Sequence, residues 1–195
     1  LSERVEALYR DSERWGPLVE FLDLNLGEDA DDGRRQGLLE RKLLLGTGPL
    51  NDQAIVREAG EALLLTRPGH PDALEALGHL AIEEQDAEGL DRILGMRQEF
   101  TESLDERVSI ILERGEHAMG PLDRPDVAIA CAEDVHGTLA SDAPERQRLV
   151  ALFESARSAG GDTERIASHH LEVHYQTDER WDDYVDVLGI QWNLA

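Results

Sequence analysis

The composition of this 195-residue chain favours helices and excludes two classes of partner. Hydrophobic residues make up 41% and aromatic residues only 5%, so the core must be built largely from leucine and alanine, which lead the helix scale. The formal net charge is −23, from 42 acidic and 19 basic side chains. Because such a surface repels phosphate backbones and anionic headgroups, we expect neither nucleic acid nor a membrane as a partner.

Breaks at prolines, glycines and capping residues divide the chain into helices. All seven prolines fall where a helix would begin or end, and a proline inside a helix costs about 3 kcal/mol. Ser103 opens an S-x-x-E capping box, and Asp162 and Thr163 are candidate caps of a later helix. The predicted helices are 2–11, 15–27, 34–46, 51–66, 72–84, 87–99, 104–118, 125–140, 145–159, 163–176 and 181–193. With no convincing strand, the predicted fold class is all-α.

One segment of the sequence occurs three times. Residues 8–22 recur as residues 174–188, an offset of 166, and more weakly as residues 80–94, an offset of 72. A single unit of this kind cannot bury its own apolar face, so the repeats predict an α-solenoid of helix pairs. The 94 residues between Leu90 and Tyr184 do not divide evenly by a unit of about 36 residues. We therefore expect one longer unit or an added helix.

Residues 66–80 resemble a tetratricopeptide repeat junction, where a proline ends one repeat and the next opens with an apolar-x-x-Leu-Gly pattern. Leu74, Leu77 and Gly78 match those positions. The resemblance implies that Gly78 lets a partner helix approach closely. The Arg-Trp copies resemble second helices of the arrays found in long bacterial repeat proteins. The family resemblance implies a right-handed α-solenoid of about five to six antiparallel helix pairs, forming one domain over residues 1–195 of a longer protein.

Histidines near the C-terminus are the candidate metal ligands. His170 and His174 lie one helical turn apart and share a face, and His169 is adjacent. However, the H-E-x-x-H spacing of zinc proteases is absent, and His174 aligns with Leu8 in the first copy. This alignment favours a packing role, and we expect no metal.

Other chemical signals also have structural interpretations. Residues 28–33 are similar to an acidic calcium loop. Counted from Asp29 as the first position, however, Gly33 stands fifth and Arg34 takes the sixth place, where the loop needs a glycine, which favours a solvated loop between helices. Residues 46–49 and 160–162 lack the features of a phosphate loop and are predicted as helix ends and turns. Cys131, in an apolar run, is predicted to be a buried thiol. No catalytic constellation and no cofactor are predicted.

The tryptophans are interpreted through the repeat. Trp15 and Trp181 occupy equivalent positions and are predicted to wedge between the helices of a pair. Trp192 has no counterpart, because Leu26 stands at the equivalent position. We predict that Trp192, Val187 and Ile190 form an apolar end face, covered by further repeats or by a second copy of the chain.

The resemblance implies a non-catalytic protein–protein interaction scaffold that binds a partner peptide or helix in a groove lined mainly by the first helices of each pair. An acidic groove favours a basic partner segment, with binding that weakens in salt. A spacer or self-association module, acting through the end face, is the alternative. A metal-dependent module on His169, His170 and His174 is the third hypothesis. Without a signal peptide or an apolar span, the expected location is the cytoplasm.

Overall fold

The computed structural model describes residues 2–27, 31–140 and 143–194, and over these ranges it contains eleven α-helices and no strand. The helices are α1 (Ser2–Asp11), α2 (Trp15–Asn25), α3 (Asp32–Thr47), α4 (Gln53–Thr66), α5 (Pro71–Glu83), α6 (Ala87–Phe100), α7 (Leu104–Met119), α8 (Pro125–His136), α9 (Arg146–Arg157), α10 (Gly161–Thr177) and α11 (Trp181–Leu194). The all-α prediction is confirmed. Among the described helices, none combines the length and apolar character that crossing a bilayer requires.

The predicted starts and ends of the helices lie within two residues of the structure except at the end of α8. Helix α8 ends at His136, four residues before the predicted end, and Gly137 is its C-cap. Helix α10 begins two residues before the predicted start because Gly160 and Gly161, with φ of +80° and +65°, supply the turn themselves. Asp162 and Thr163 therefore lie inside the first turn, and the prediction that they cap it is wrong.

Ser103 confirms its predicted role, since its hydroxyl accepts the N–H of Glu106 at 3.4 Å and caps α7. The cap predicted at residues 141–142 lies outside the described residues. Gly48 ends α3 as predicted for the glycine-bearing break at 46–49. Local capping chemistry thus sets several helix ends.

The repeat in sequence is also a repeat in backbone conformation. Glu13, Gln85 and Glu179 take left-handed φ values of 52°, 57° and 56°, although none is a glycine. In each turn the next residue donates its N–H to a carbonyl five residues earlier at 2.9 Å; the pairs are Arg14 to Tyr9, Asp86 to Ala81 and Arg180 to Tyr175. One turn geometry therefore joins α1 to α2, α5 to α6 and α10 to α11.

A second turn joins α3 to α4 and α7 to α8. Its left-handed residues, Asn51 with φ 46° and Asp123 with φ 49°, are again 72 residues apart. The following residue donates its N–H to a carbonyl six residues back, in one turn at 2.9 Å and in the other at 2.8 Å; the pairs are Asp52 to Gly46 and Arg124 to Ala118. Helix α9 lies in the chain between the pair α7–α8 and the pair α10–α11 and belongs to neither. The 94 residues from Leu90 to Tyr184 therefore include one added helix.

The chain forms two compact units, Leu1–Met96 and Arg97–Ala195. The first has two neighbouring apolar clusters built mostly from leucine; their buried members are Leu18, Leu22, Leu38 and Leu45, and Leu39, Leu43, Val56, Ala59, Leu63, Leu64, Ala73, Leu74, Leu77, Leu80 and Ile93. The second unit has one cluster around Leu112, Phe153, Leu171 and Tyr175. Cys131 is buried in that cluster, which confirms its prediction.

Close helix contact in the first unit depends on Gly60 rather than on Gly78. A Cβ at Gly60 on α4 would lie 2.9 Å from Cγ of Leu77 on α5, too close for a side chain. A Cβ at Gly78 would meet Cγ2 of Ile93 at 3.6 Å, an ordinary van der Waals distance. The role that the family resemblance implied for Gly78 is therefore wrong.

Candidate functional site

A groove runs between α3 and α5 on the first unit. The larger of its two parts has a volume of about 310 Å³, and a smaller part of about 210 Å³ shares Thr47, Ala76 and His79 with it. The larger part is lined by Glu40, Leu43, Leu44, Thr47, Asp72, Glu75, Ala76 and His79. We call this the α3–α5 groove. Helix α3 is followed in the chain by α4 and helix α5 by α6, so both are first members of their helix pairs.

The groove combines an exposed leucine with carboxylates. Leu44 is 68% exposed, whereas its neighbour Leu43 is buried in the core. Glu40, Asp72 and Glu75 supply negative charge around it. An exposed apolar side chain surrounded by carboxylates suits a ligand that carries both apolar and cationic groups.

Glu40 is fixed in the groove by hydrogen bonds from two side chains. His70 Nε2 lies 3.0 Å from its carboxylate and Gln36 Nε2 lies 2.8 Å away. Hydrogen bonds from His70 and then from Gln36 hold the pKa of Glu40 below its ordinary value. The carboxylate is therefore charged at neutral pH.

His70 connects this carboxylate to the start of α5. Its buried ring accepts the N–H of Ala73 at Nδ1, at 3.4 Å, and so acts as the N-cap of α5. With Nδ1 accepting, a neutral ring carries its proton on Nε2 and donates to Glu40. The sequence gives no direct sign of this cap, because histidine is not among the preferred N-cap residues.

The histidine cluster of the second unit consists of His136 on α8 with His170 and His174 on α10. His174 Nε2 lies 3.2 Å from His136 Nδ1, and the His170 ring stacks on Phe153 of α9 with centroids 4.9 Å apart. His170 Nε2 also contacts Glu133 at 3.1 Å. The prediction that His170 and His174 share one face of the helix is confirmed, since both rings contact His136. His136 itself was not predicted, because it lies 34 residues before His170 in the chain.

Burial favours the neutral rings of His174 and His136. It lowers the pKa of His174 to about 4, with smaller contributions from the neighbouring His136 ring and the Arg146 guanidinium. Burial, followed by the charge on His170, lowers the pKa of His136. Over the described residues no group of three or more histidine, cysteine, aspartate or glutamate side chains is arranged to hold a metal ion. His169 is exposed, and its ring centroid lies 5.8 Å from that of His170.

Half of the calcium-like segment, residues 28–30, lies outside the described residues. Its visible end has a structural role. The side chain of Asp31 accepts the N–H of Arg34 at 2.8 Å and caps α3. Asp31 is thus the N-cap of α3, a position where aspartate is among the preferred residues.

The tryptophans differ from their prediction. Trp15 is partly buried and packs against the core of the first unit, but Trp181 is exposed, so the prediction of a second core tryptophan is wrong. Val187 is fully buried and cannot form part of an end face. Trp192 is 84% exposed and Ile190 is partly buried.

The exposed apolar side chains of α11 form a different surface from the predicted one. Trp181, Val185, Leu188 and Trp192 follow one another at intervals of four, three and four residues, which places them on one helix face. We call these four residues the α11 stripe. Val185 and Leu188 were not predicted to belong to an exposed face, although their spacing of four, three and four residues with the two tryptophans is visible in the sequence.

A scan against protein-family models finds no match to this chain, and a search of curated proteins finds none either.

Proposed function

We propose that this chain is a non-catalytic protein–protein interaction scaffold that binds a basic segment of a partner protein in the α3–α5 groove. The observation that carries this proposal is the exposed Leu44 among the carboxylates of Glu40, Asp72 and Glu75. A scaffold needs an accessible surface with both apolar and charged contacts, and this groove provides one.

We propose further that the helices form a right-handed α-solenoid of tetratricopeptide-like pairs in a cytoplasmic protein. The two turn geometries support this arrangement, because each returns at an offset seen in the sequence repeat. Contacts between consecutive helices are consistent with it. In such an array the first helices of neighbouring pairs line one surface, as α3 and α5 do here.

The partner segment is basic on grounds of charge. The chain carries 42 acidic against 19 basic side chains, and the groove has the same bias. Opposite charge accelerates encounter and disfavours acidic competitors, while apolar contacts with Leu44 slow dissociation. The partner segment therefore carries Arg or Lys together with at least one large apolar side chain.

The test is a selection of displayed random 16-residue peptides against the immobilised chain. The double variant Leu44→Ser, Glu75→Lys serves as the counter-target, and both replaced side chains are exposed, so the fold is expected to be unchanged. We expect enrichment of peptides with basic and apolar residues that the counter-target does not retain. Enrichment of the same peptides by both proteins would contradict the proposal.

A self-association module is the second candidate function, and the exposed α11 stripe is the observation that favours it. Sedimentation velocity from micromolar to hundred-micromolar concentrations tests it. A mass that rises with concentration, and that returns to the monomer value in Trp192→Ser, would support this candidate.

A further inference from the structure

Helices α2 and α11 are copies of one repeated helix, but other helices cover two faces of α2 and only one face of α11. Helix α2 and helix α11 are related by the offset of 166 residues. In both helices one face packs against the preceding helix: Leu18 and Phe21 in α2, and their equivalents Tyr184 and Val187 in α11, lie in or against the core. The second face differs between the copies.

In α11 that second face is the α11 stripe. Its equivalents are Trp15, Val19 and Leu22 in α2 and Leu26 at the C-cap of α2. Leu22 is 1% exposed, while the equivalent Leu188 is 37% exposed. Trp15, Val19 and Leu26 are partly buried and pack against the same cluster. The sequence of this face is apolar in both copies, so its exposure in α11 reflects a missing neighbour.

In the first unit that neighbour is α3. Leu38 and Leu45, seven residues apart on α3, share a buried cluster with Leu18 and Leu22. A spacing of seven places both leucines on one face of the helix, as needed to cover a stripe along α2.

Cations of α3 complete the contact with α2. Lys42 Nζ lies 2.7 Å from Oδ1 of Asp23, and Arg34 Nη2 donates to Oδ1 of Asn25 at 3.1 Å. Four of the 19 basic residues of the chain lie on α3; they are Arg34, Arg35, Arg41 and Lys42. The covering helix is therefore apolar on one face and basic along its sides.

The surroundings of the α11 stripe fit a helix of the same kind. Asp182 and Asp186 lie one turn apart beside the stripe, on the side away from the residues that face α10, and both are exposed. At the equivalent places α2 has Gly16 and Glu20, so α11 carries more negative charge along this edge. A basic edge on the incoming helix complements these carboxylates.

We infer that the α11 stripe is a docking surface for an amphipathic helix of a partner protein, with leucines seven residues apart and Arg or Lys beside them, as on α3. This site belongs to the second unit and is additional to the α3–α5 groove. The alternative occupant, a second copy of the chain, is one outcome of the test.

The probe is a synthetic peptide of residues 31–50, which carries the α3 pattern and contains no aromatic residue. Titrated into the full chain, it should shift the fluorescence of Trp181 and Trp192 saturably. We expect the double variant Val185→Ser, Leu188→Ser to bind the peptide at least tenfold more weakly. Trp192→Ser should show the same loss, and its binding is measured with a labelled peptide because this variant lacks one of the reporting tryptophans. The double variant Asp182→Lys, Asp186→Lys should weaken binding most at low salt. Circular dichroism confirms that each variant is folded.

Matched controls separate this site from other surfaces. A peptide with Leu38→Ser, Leu45→Ser should not bind, and the protein variant Val173→Ser, which removes an exposed apolar side chain from α10, should bind as the unchanged chain does. Leu44→Ser alters the groove and should leave this binding intact, so the groove proposal and the stripe proposal can fail separately.

Three results would overturn the inference. The first is the absence of saturable binding by the peptide. The second is binding that Val185→Ser, Leu188→Ser leaves unchanged, since the peptide would then occupy another surface. The third is a concentration-dependent mass that Trp192→Ser abolishes, because a second copy would then be the occupant of the stripe.

Discussion

Lys42, the single lysine of the chain, places its ammonium nitrogen 2.7 Å from Oδ1 of Asp23, while its own side chain is only 2% exposed. The same nitrogen lies 2.9 Å from Oε1 of Glu58. One cation thus connects α2, α3 and α4. Burial lowers the pKa of Lys42, but hydrogen bonds to Asp23 and Glu58 outweigh it and the pKa is raised overall.

Replacing Lys42 with methionine should destabilise the first unit. The variant keeps an apolar stem of similar length and loses both ion pairs, and the released carboxylates are partly exposed and can be hydrated. We expect a loss of about 1–2 kcal/mol in the free energy of unfolding, measured by urea denaturation. The exposed Arg92 on α6 gives the control Arg92→Met, with an expected change of about 0.5 kcal/mol or less. An equal loss in both variants would contradict the assigned role.

Gly115 is required where α7 meets α9. A Cβ at this position would lie 2.5 Å from Cδ2 of Leu152, a buried side chain, and 3.1 Å from Cβ of Cys131. Gly115→Ala should therefore cost about 1–3 kcal/mol by overpacking. Gly37→Ala, inside α3 with open space around it, should instead stabilise by about 0.5–1 kcal/mol. Thermal denaturation of both variants measures the contrast, and a stabilised Gly115→Ala would be inconsistent with the packing described.

The histidine cluster predicts a loss of stability in acid. Between about pH 6.5 and pH 4 the unfolded chain binds a proton at His174 that the folded chain does not, so the free energy of unfolding falls as the pH falls through this range. Replacing His174 with leucine, the residue of the first repeat copy, should remove about 2 kcal/mol of this pH dependence.

Urea denaturation at pH 7.5, 6, 5 and 4 measures this effect. His169→Gln, an exposed position on the same helix, is the control and should follow the unchanged chain at every pH. Parallel profiles for the unchanged chain and His174→Leu would show that this histidine does not set the acid response.

Ser168 is buried on α10, and its hydroxyl has no hydrogen-bond partner in the described part of the chain. Removing an unsatisfied buried hydroxyl relieves its desolvation penalty, so Ser168→Ala should stabilise the second unit by about 1 kcal/mol. Ser155, whose exposed hydroxyl donates to Ala151 at 2.9 Å, gives the matched substitution with an expected change within about 0.5 kcal/mol. Calorimetry of both variants would decide, and destabilisation by Ser168→Ala would reveal a missing partner.

The helices were predictable because their signals are local. Prolines, caps and apolar periodicity act within a few residues, and the repeat added independent copies of the same pattern. The groove was harder to predict because it depends on which helices meet. Leu43, Leu44 and Leu45 are identical in chemistry, yet only Leu44 is exposed, since the neighbours of α3 on two sides cover the other two.

The histidines show the same limit. The one-turn spacing of His170 and His174 was visible in the sequence, but their contact with His136 depends on the packing of α8 beside α10. Trp181 failed as a core prediction for a related reason. Its copy, Trp15, is partly buried because α3 covers that face of α2, and sequence equivalence alone does not say whether the covering helix is present in each copy.

The most direct test of the scaffold proposal is the dissociation constant of the best selected peptide, measured by fluorescence anisotropy at 50 and 300 mM salt. We predict binding that weakens with salt and that Leu44→Ser, Glu75→Lys reduces at least tenfold. Glu99→Lys, Glu102→Lys changes exposed charges outside the groove and should have a small effect. Equal losses in the two double variants, or affinity independent of salt, would contradict a basic partner in the α3–α5 groove.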